Sequence, residues 1–532
     1  MEDLKCDAMT EKRKRRLRQT VKFGIIASPF VIGGIGFSLL YGGSVISGFY
    51  DALCLYGLQL NVDKEDVNLL INIARWAAPC MTVAVLFTVL SAVFKNMQVR
   101  RKVRKKDAAA IHGDSRYIPV VGQKIGKHAV VSESPLSFRA PRQILIFDTD
   151  YEMFQYLHVH EKDLFGNPDK ILYLCTERIA RGSYKEQGLQ ICNLAENCGR
   201  AYWKENLLQK DEKIIVIIGF GNYGQEILNQ GLLMNVRDIT SDLQYHIFGN
   251  SKEYQHLHHK LSRFVNVGND KENRVEGRDS VIFHEELWYE DEALIQAADR
   301  IILAYDEEER NLLILNELHK YFIMNKIYIK VFNEQILKTL WDIEKMQIVP
   351  YGTDEQMCEP EMILGESTLI RAKMCHATYI RNAPAEYGGC REKEAGSCQK
   401  TLNACISCPH FLQDWNSMNY FTKYSNVAQA DHMCVKEQIL MEGYTYPKGV
   451  KKGDFLKEIY RNLSDEEKNK MREIEHLRWM RYHYLQNWDY APKRDKQKHF
   501  HNLLVDFSDL ALEEQMKDDD TYNTMFEIYN EG

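Results

Sequence analysis

Two long apolar stretches near the N-terminus set the terms for the rest of the chain. One runs over Phe23–Tyr41 and the other over about Ile71–Phe94. Each approaches the ~20 residues a helix needs to span a bilayer, and in lipid a lone segment satisfies its backbone only as a helix. The flanks agree with that reading. Lys12, Arg13, Lys14, Arg15, Arg16 and Arg18 precede the first stretch, and Arg100, Arg101, Lys102, Arg104, Lys105 and Lys106 follow the second. The segment between them offers Asp51, Asp63, Glu65 and Asp66 against Lys64. Basic flanks on the cytoplasmic side place both termini in the cytoplasm and the chain in the cell (inner) membrane. The long basic region and the absence of a clean small-x-small site argue against a cleaved leader.

The connecting segment Gly42–Leu70 begins GGSVISGFYDALCLYGLQL. Its apolar, aromatic character fits a helix lying on the membrane or a re-entrant segment. Leu55-Tyr56-Gly57 is too little for a filter of ordered carbonyls. Gly33, Gly34 and Gly36 permit close helix packing. Two spans from one chain cannot enclose a pore, so a homo-oligomer such as a tetramer is expected.

The formal net charge of −7 hides this basic N-terminal region, and no basic surface is concentrated elsewhere, so direct nucleic-acid binding is not expected. The fold class is α/β: two transmembrane helices, a parallel-sheet domain of dinucleotide-binding type and a mostly α-helical C-terminal domain. The divisions are a basic tail (1–21), a two-helix membrane region (22–95), a basic connector (96–140), a small α/β segment (141–212), the parallel-sheet domain (213–345), a linker with a cysteine-rich insert (346–424) and the C-terminal domain (425–532).

The parallel-sheet reading rests on KIIVIIGFGNYGQEILN, Lys213–Asn229. An apolar strand ends in Gly219-x-Gly221-x-x-Gly224 and enters a helix. The first glycine allows a tight turn, the second lets a phosphate approach the backbone, and the third allows close helix–strand packing. Strands are expected at His246–Phe248, Ser280–Phe283, Arg300–Ala304 and Lys326–Phe332, with two more upstream at Gln143–Asp148 and Lys170–Thr176. Over Lys213–Asn333 the pattern resembles TrkA-N/RCK domains, with Asp306 and Asn311 at that family's acidic and amide positions. The resemblance implies a nucleotide-derived ligand, NAD or ADP-ribose-like. The second strand ends in Gly249-Asn250 where such sites usually carry an acid, so Asn250 is the available ribose partner. No nucleophile–base pair or paired carboxylates accompany the loop, and enzymatic activity is not expected.

Cys390, Cys398, Cys405 and Cys408 fall within nineteen residues and end in a CxxC pair. Four thiolates suit a closed, structural zinc site; free cysteines and an iron–sulfur cluster are the alternatives.

The C-terminal region carries Glu475-His476, Trp479, Trp488, Tyr490, Arg494-Asp495, Lys498, His501, Leu503, Phe507 and Leu510. This spacing resembles the RyR repeat of ryanodine receptors and many bacterial proteins. Ser464 with Glu467 marks the start of a helix running to about Gln486. Aromatic rings can stack on a base, Arg494 and Lys498 can meet phosphates, and Glu475 can accept from an amino group or ribose hydroxyl. The whole order resembles bacterial two-span TrkA-N/RyR membrane proteins. That implies a nucleotide-sensing effector, either a ligand-gated ion channel or a membrane-permeabilising protein, acting in anti-phage defence; an RCK-like subunit regulating an ion transporter is the alternative.

Overall fold

A computed structural model describes residues 24–531 apart from 132–133, 168, 179–188, 241, 269–273, 321–324, 365 and 383–400. The chain divides into two compact units, Met1–Lys102 and Val103–Gly532.

In the first unit, helices Gly24–Leu40 and Leu69–Val103 run antiparallel. A Cβ on Gly33 would lie 3.1 Å from the Ala74 Cβ, and one on Gly36 would meet Ile71 at 3.0 Å, so glycine is what lets the backbones approach. Leu69–Val103 is long and apolar enough to cross a membrane. Its 35 residues extend about 52 Å at ~1.5 Å per residue, which carries its basic last turn beyond a ~30 Å hydrocarbon layer. Gly24–Leu40 is apolar but shorter, so of the two expected spans, one meets the length requirement among the described residues.

Between these helices, Val45–Cys54 turns back alongside the first. The Phe49 ring sits where a Gly34 side chain would be, and Phe49 meets Phe30 edge-on at 5.1 Å. A short turn, Leu55–Gly57, follows. There the Tyr56 hydroxyl donates to the Ile26 carbonyl at 2.7 Å, and Thr82 Oγ1 donates to the Tyr56 carbonyl at 3.1 Å. The chain then climbs back. Asn61 Nδ2 donates to Asp51 Oδ1 at 2.6 Å, and Asn68 Nδ2 to the Gly36 carbonyl at 2.8 Å. The segment thus enters and leaves at the same end of the helix pair and reaches the level of Ile26 and Thr82 at its tip. The segment is a hairpin folded back along the helix pair, not a helix lying flat across the helix ends. Asp51, 9% exposed, also accepts from the Tyr41 hydroxyl at 2.5 Å.

The second unit holds two large all-parallel sheets among the described residues. The first contains β1 (Ala109–His112), β2 (Ala129–Val131), β3 (Arg142–Ile146), β4 (Ile171–Thr176) and β5 (Leu189–Asn193). Its order β2-β1-β3-β4-β5 is doubly wound. Two of these strands, β1 and β2, lie in the stretch 96–140 that reads as a basic connector. The second sheet contains β6 (Ile214–Ile218), β7 (Gln244–Phe248), β8 (Asn266–Val267), β9 (Ser280–His284), β10 (Arg300–Leu303), β11 (Ile327–Lys330) and β12 (Ile348–Tyr351). Its order is β12-β11-β10-β6-β7-β9-β8. The chain winds out through β7 and β9, crosses back and winds out again through β10, β11 and β12. That is the Rossmann arrangement, with its reversal between β6 and β10.

A helical layer completes the unit. Asp465–Leu485 starts at the expected capping box: Ser464 Oγ accepts from the Glu467 amide at 3.2 Å, and Glu467 accepts from the Ser464 amide at 2.8 Å. This layer packs against the second sheet and its helices. Arg481 pairs with Asp279 at 2.8 Å, just ahead of β9, and donates to the Leu232 carbonyl at 3.1 Å. One hydrophobic core runs from Ile111 and Ile144 of the first sheet through Ile217 and Ile302 of the second to Tyr482 and Trp488 of the helical layer.

Candidate functional site

The glycine loop follows β6 and leads into helix Asn222–Met234. Gly219 has φ 98° and passes so close to Tyr305 that a Cβ would lie 2.5 Å from its amide nitrogen, while a Cβ on Gly224 would strike the Gly219 carbonyl at 2.1 Å. These two glycines do what the sequence assigns them, turn and close packing. Gly221 does something further. A Cβ there would lie 2.5–2.7 Å from the Asp306 carboxylate. That carboxylate sits on the helix N-terminus, accepting from the Asn222 amide at 3.1 Å and the Tyr223 amide at 3.2 Å. The place where a ligand phosphate approaches a Rossmann loop is thus taken by a side chain of the same protein. Asn311, fully buried, holds the Asp306 loop in place. Its side chain accepts from the Tyr305 amide at 2.9 Å and donates to the Tyr305 carbonyl at 2.9 Å and the Lys330 carbonyl at 3.1 Å. Asn250, at the carboxyl end of β7, is exposed and engages the Lys252 amide at 3.4 Å.

Around Asp306 the carboxyl ends of strands from both sheets converge. Lys330, the last residue of β11, is 1% exposed. Its ammonium donates to the Asp306 carbonyl at 3.3 Å and lies over the rings of Tyr223 and Phe332 at 3.9 and 4.4 Å. From the first sheet, Glu177 follows β4 and accepts from the Tyr223 hydroxyl at 3.2 Å. Arg116, in the loop after β1, lies over the Phe332 ring and pairs with Asp354, beyond β12, at 3.5 Å. Burial raises the Glu177 carboxyl, and Lys330 and the Tyr223 hydroxyl offset part of that rise. Burial likewise pulls the Lys330 ammonium down. The cluster therefore holds two cations, an aromatic wall and the loop amides, at the edge where open α/β sheets bind ligands. Arg116, Glu177, Lys330 and Asp354 escape the sequence reading. Lys330 ends and Glu177 directly follows strands that were recognised, whereas Arg116 and Asp354 follow β1 and β12, which were not.

The C-terminal candidates separate into a buried set and an exposed set. Glu475 is 2% exposed. It is held by Lys436 at 2.8 Å and by Arg478, whose nitrogens lie 2.6 and 3.1 Å from its two oxygens. Burial would raise this carboxyl, but Arg478 and Lys436 outweigh burial and hold it far below the usual carboxylate range. It is a fixed counter-ion inside the helical layer, with its oxygens committed to protein. His476 is buried and donates to the Val505 carbonyl at 2.9 Å. Trp488 is buried between Phe421 at 4.6 Å and His499 at 5.3 Å, both stacked. Trp479 is partly exposed and packs against His483 at 4.0 Å and His501 at 4.9 Å. Tyr490, Arg494 and Lys498 lie exposed on the loop beside them, its turn set by the Asp495 carboxylate accepting from the Gln497 and Lys498 amides at 3.0 and 3.2 Å. Burial, with Arg494 nearby, lowers His501 to about 4. This surface therefore offers the partly exposed Trp479 face, the exposed Tyr490 ring and two exposed cations at the rim of a histidine cluster.

Cys405 and Cys408 are buried, Cys408 preceding helix Pro409–Ser417, while Cys390 and Cys398 lie outside the described residues. Among the described residues no group of three or more His, Cys, Asp or Glu is placed to hold a metal ion.

No protein-family model matches the chain, and neither does any curated protein. Among solved structures, a crystal structure of a GsuK mutant overlaps with 11% identity and a TM-score of 0.29, covering 66% of this chain and 99% of that one. A crystal structure of GsuK bound to ADP overlaps with 11% identity and a TM-score of 0.26, covering 67% and 99%. Overlaps at that level carry no argument about arrangement or ligand. The Rossmann assignment stands on strand order and the glycine loop.

Proposed function

We propose that this chain is a membrane-anchored sensor of a nucleotide-type anion, and that ligand binding in its second unit alters ion passage through an oligomer of its membrane unit. The observation that carries this reading is the convergence of both parallel sheets on one polar cluster. Asn222 and Tyr223 amides, Lys330 and Arg116 face the same edge as the glycine loop, which is the composition that recognises phosphate next to a flat ring. The surface of partly exposed Trp479 with exposed Arg494 and Lys498 is the second place such a ligand can be read. The re-entrant hairpin supports a permeation role, because irregular backbone at that depth is stable only when buried in protein or lining a water-filled space. Its outer residues Ile46 and Leu58, 87% and 80% exposed in one chain, need lipid or another copy to cover them. A structural zinc on Cys390, Cys398, Cys405 and Cys408 and a role in defence against phage belong to the same proposal.

The test is reconstitution of the full chain in liposomes loaded with an ion-sensitive dye, with ADP, NAD and ADP-ribose added outside and inside. Nucleotide-dependent flux supports the reading. No flux with any of the three sinks it, and stable copurification with a transporter would then favour a regulatory subunit. Native mass spectrometry of the same preparation reads copy number, zinc and retained nucleotide together.

A further inference from the structure

Helix Asn222–Met234 lacks an ordinary cap. Its N-cap residue is Gly221, with no side chain to offer, and the amides beyond it are satisfied from 84 and 83 residues away by Asp306. A Ser, Thr or Asn at position 221 would be the usual solution. Instead the backbone is left bare so that an anion can sit directly on it, and the anion present is a carboxylate. Beside it, Lys330 is buried with a hydrogen bond to the Asp306 main chain, over the rings of Tyr223 and Phe332; among the described residues the carboxylates of Glu177 and Asp306 act on it through space and none contacts it directly. A buried ammonium with donors to spare is costly unless an acceptor arrives. The Asp306 main chain is fixed by Asn311 bonding its neighbour Tyr305, so the carboxylate can leave the amides by side-chain rotation alone.

We propose that the Asp306 carboxylate holds the place of a ligand phosphate. The cleft takes a phosphate-bearing, nucleotide-type ligand only when Asp306 swings off the Asn222 and Tyr223 amides, and Lys330 then shares the incoming phosphate. The proposal rests on the reading that this cleft is the sensing site and adds the latch that gates it. An acid at 306 therefore weakens binding, the reverse of its expected role as a ligand contact.

The experiment is calorimetric titration of the detergent-solubilised full chain with inorganic pyrophosphate and with ADP, comparing wild type, Asp306→Ala, Asp306→Asn and Asp306→Ala/Lys330→Met. The expected result is binding at least about tenfold tighter in Asp306→Ala, a smaller gain in Asp306→Asn, which keeps one acceptor oxygen, and loss of the gain when Lys330 is removed. Unchanged or weaker binding in a folded Asp306→Ala or Asp306→Asn overturns the latch. Should neither variant fold, a cryo-electron microscopy map of wild type with saturating pyrophosphate decides: phosphate density on the two amides with Asp306 rotated away upholds it, and Asp306 still seated on them overturns it. Liposome flux in the same preparations separates this from the sensing proposal. Nucleotide-gated flux with Asp306-independent binding removes the latch alone. Tighter binding in Asp306→Ala with no flux in any form leaves the latch and removes the gating.

Discussion

Glu475 shows how residue identity and residue role part company. A carboxylate beside His476 and Trp479 reads as a ligand contact, and the sequence supplies no sign that Lys436, thirty-nine positions earlier, will reach it. In place, Glu475 balances two buried cations, Lys436 at 0% and Arg478 at 1% exposure. Replacing it by Ala strands both, so Glu475→Ala is expected to destabilise the second unit by about 3–5 kcal/mol, read as a drop in the urea midpoint. A loss below about 1 kcal/mol would show that the cations are hydrated after all. The histidines make a second prediction. Burial lowers His483 to about 3 and His501 to about 4, from an ordinary 6.5. As pH falls below about 6.5 the unfolded chain takes up protons on these rings before the folded chain does. The contribution of these two rings is therefore flat above that pH and declines as pH drops toward about 4. Relative to His483→Gln, the wild-type urea midpoint should lose stability between about pH 7 and about pH 5; an equal pH response in both would exclude His483 as a cause.

Elements were legible where burial leaves a long apolar run and opaque where it does not. β4, β6, β9 and β10 announce themselves as KILYLCT, KIIVII, SVIF and RIILA. β1 is AAIH and β2 is AVV, three or four residues made largely of small side chains, and β12 carries Pro350, tolerable because it is an edge strand. Such strands exist through their neighbours and not through their own propensity. The capping box at Ser464 was readable because its two partners are three residues apart, whereas Asp306 meets the glycine loop only once β10 lies beside β6. In the membrane unit the hairpin depends on missing side chains. Gly34→Leu would force a branched side chain into the Phe49 ring, which already lies 2.7 Å from the position of a Cβ. It is expected to displace Val45–Cys54 and make Cys54, half-buried here, react at least several-fold faster with a membrane-permeant maleimide. An unchanged rate would mean that the hairpin does not depend on this contact.

At the scale of the molecule, the two sheets and the helical layer share a core, so the second unit is expected to unfold as one transition and not as three modules. Arg481→Met tests this through the Arg481–Asp279 pair, buried at both ends. It leaves Asp279 unpaired and should lower the midpoint of the whole unit by the equivalent of about 3 kcal/mol, with far-ultraviolet and tryptophan signals still coincident. Two separated transitions would show that sheet and helical layer fold independently. The helix that carries Trp479 is also joined to the glycine-loop helix directly, because Arg481 donates to the Leu232 carbonyl. The carboxylate on those amides has one more consequence. A tethered competitor acts at a local concentration on the order of millimolar, and no change in expression or dilution alters it. On the latch proposed above, it raises the anion concentration needed for half-occupancy by a fixed factor set by the covalent chain.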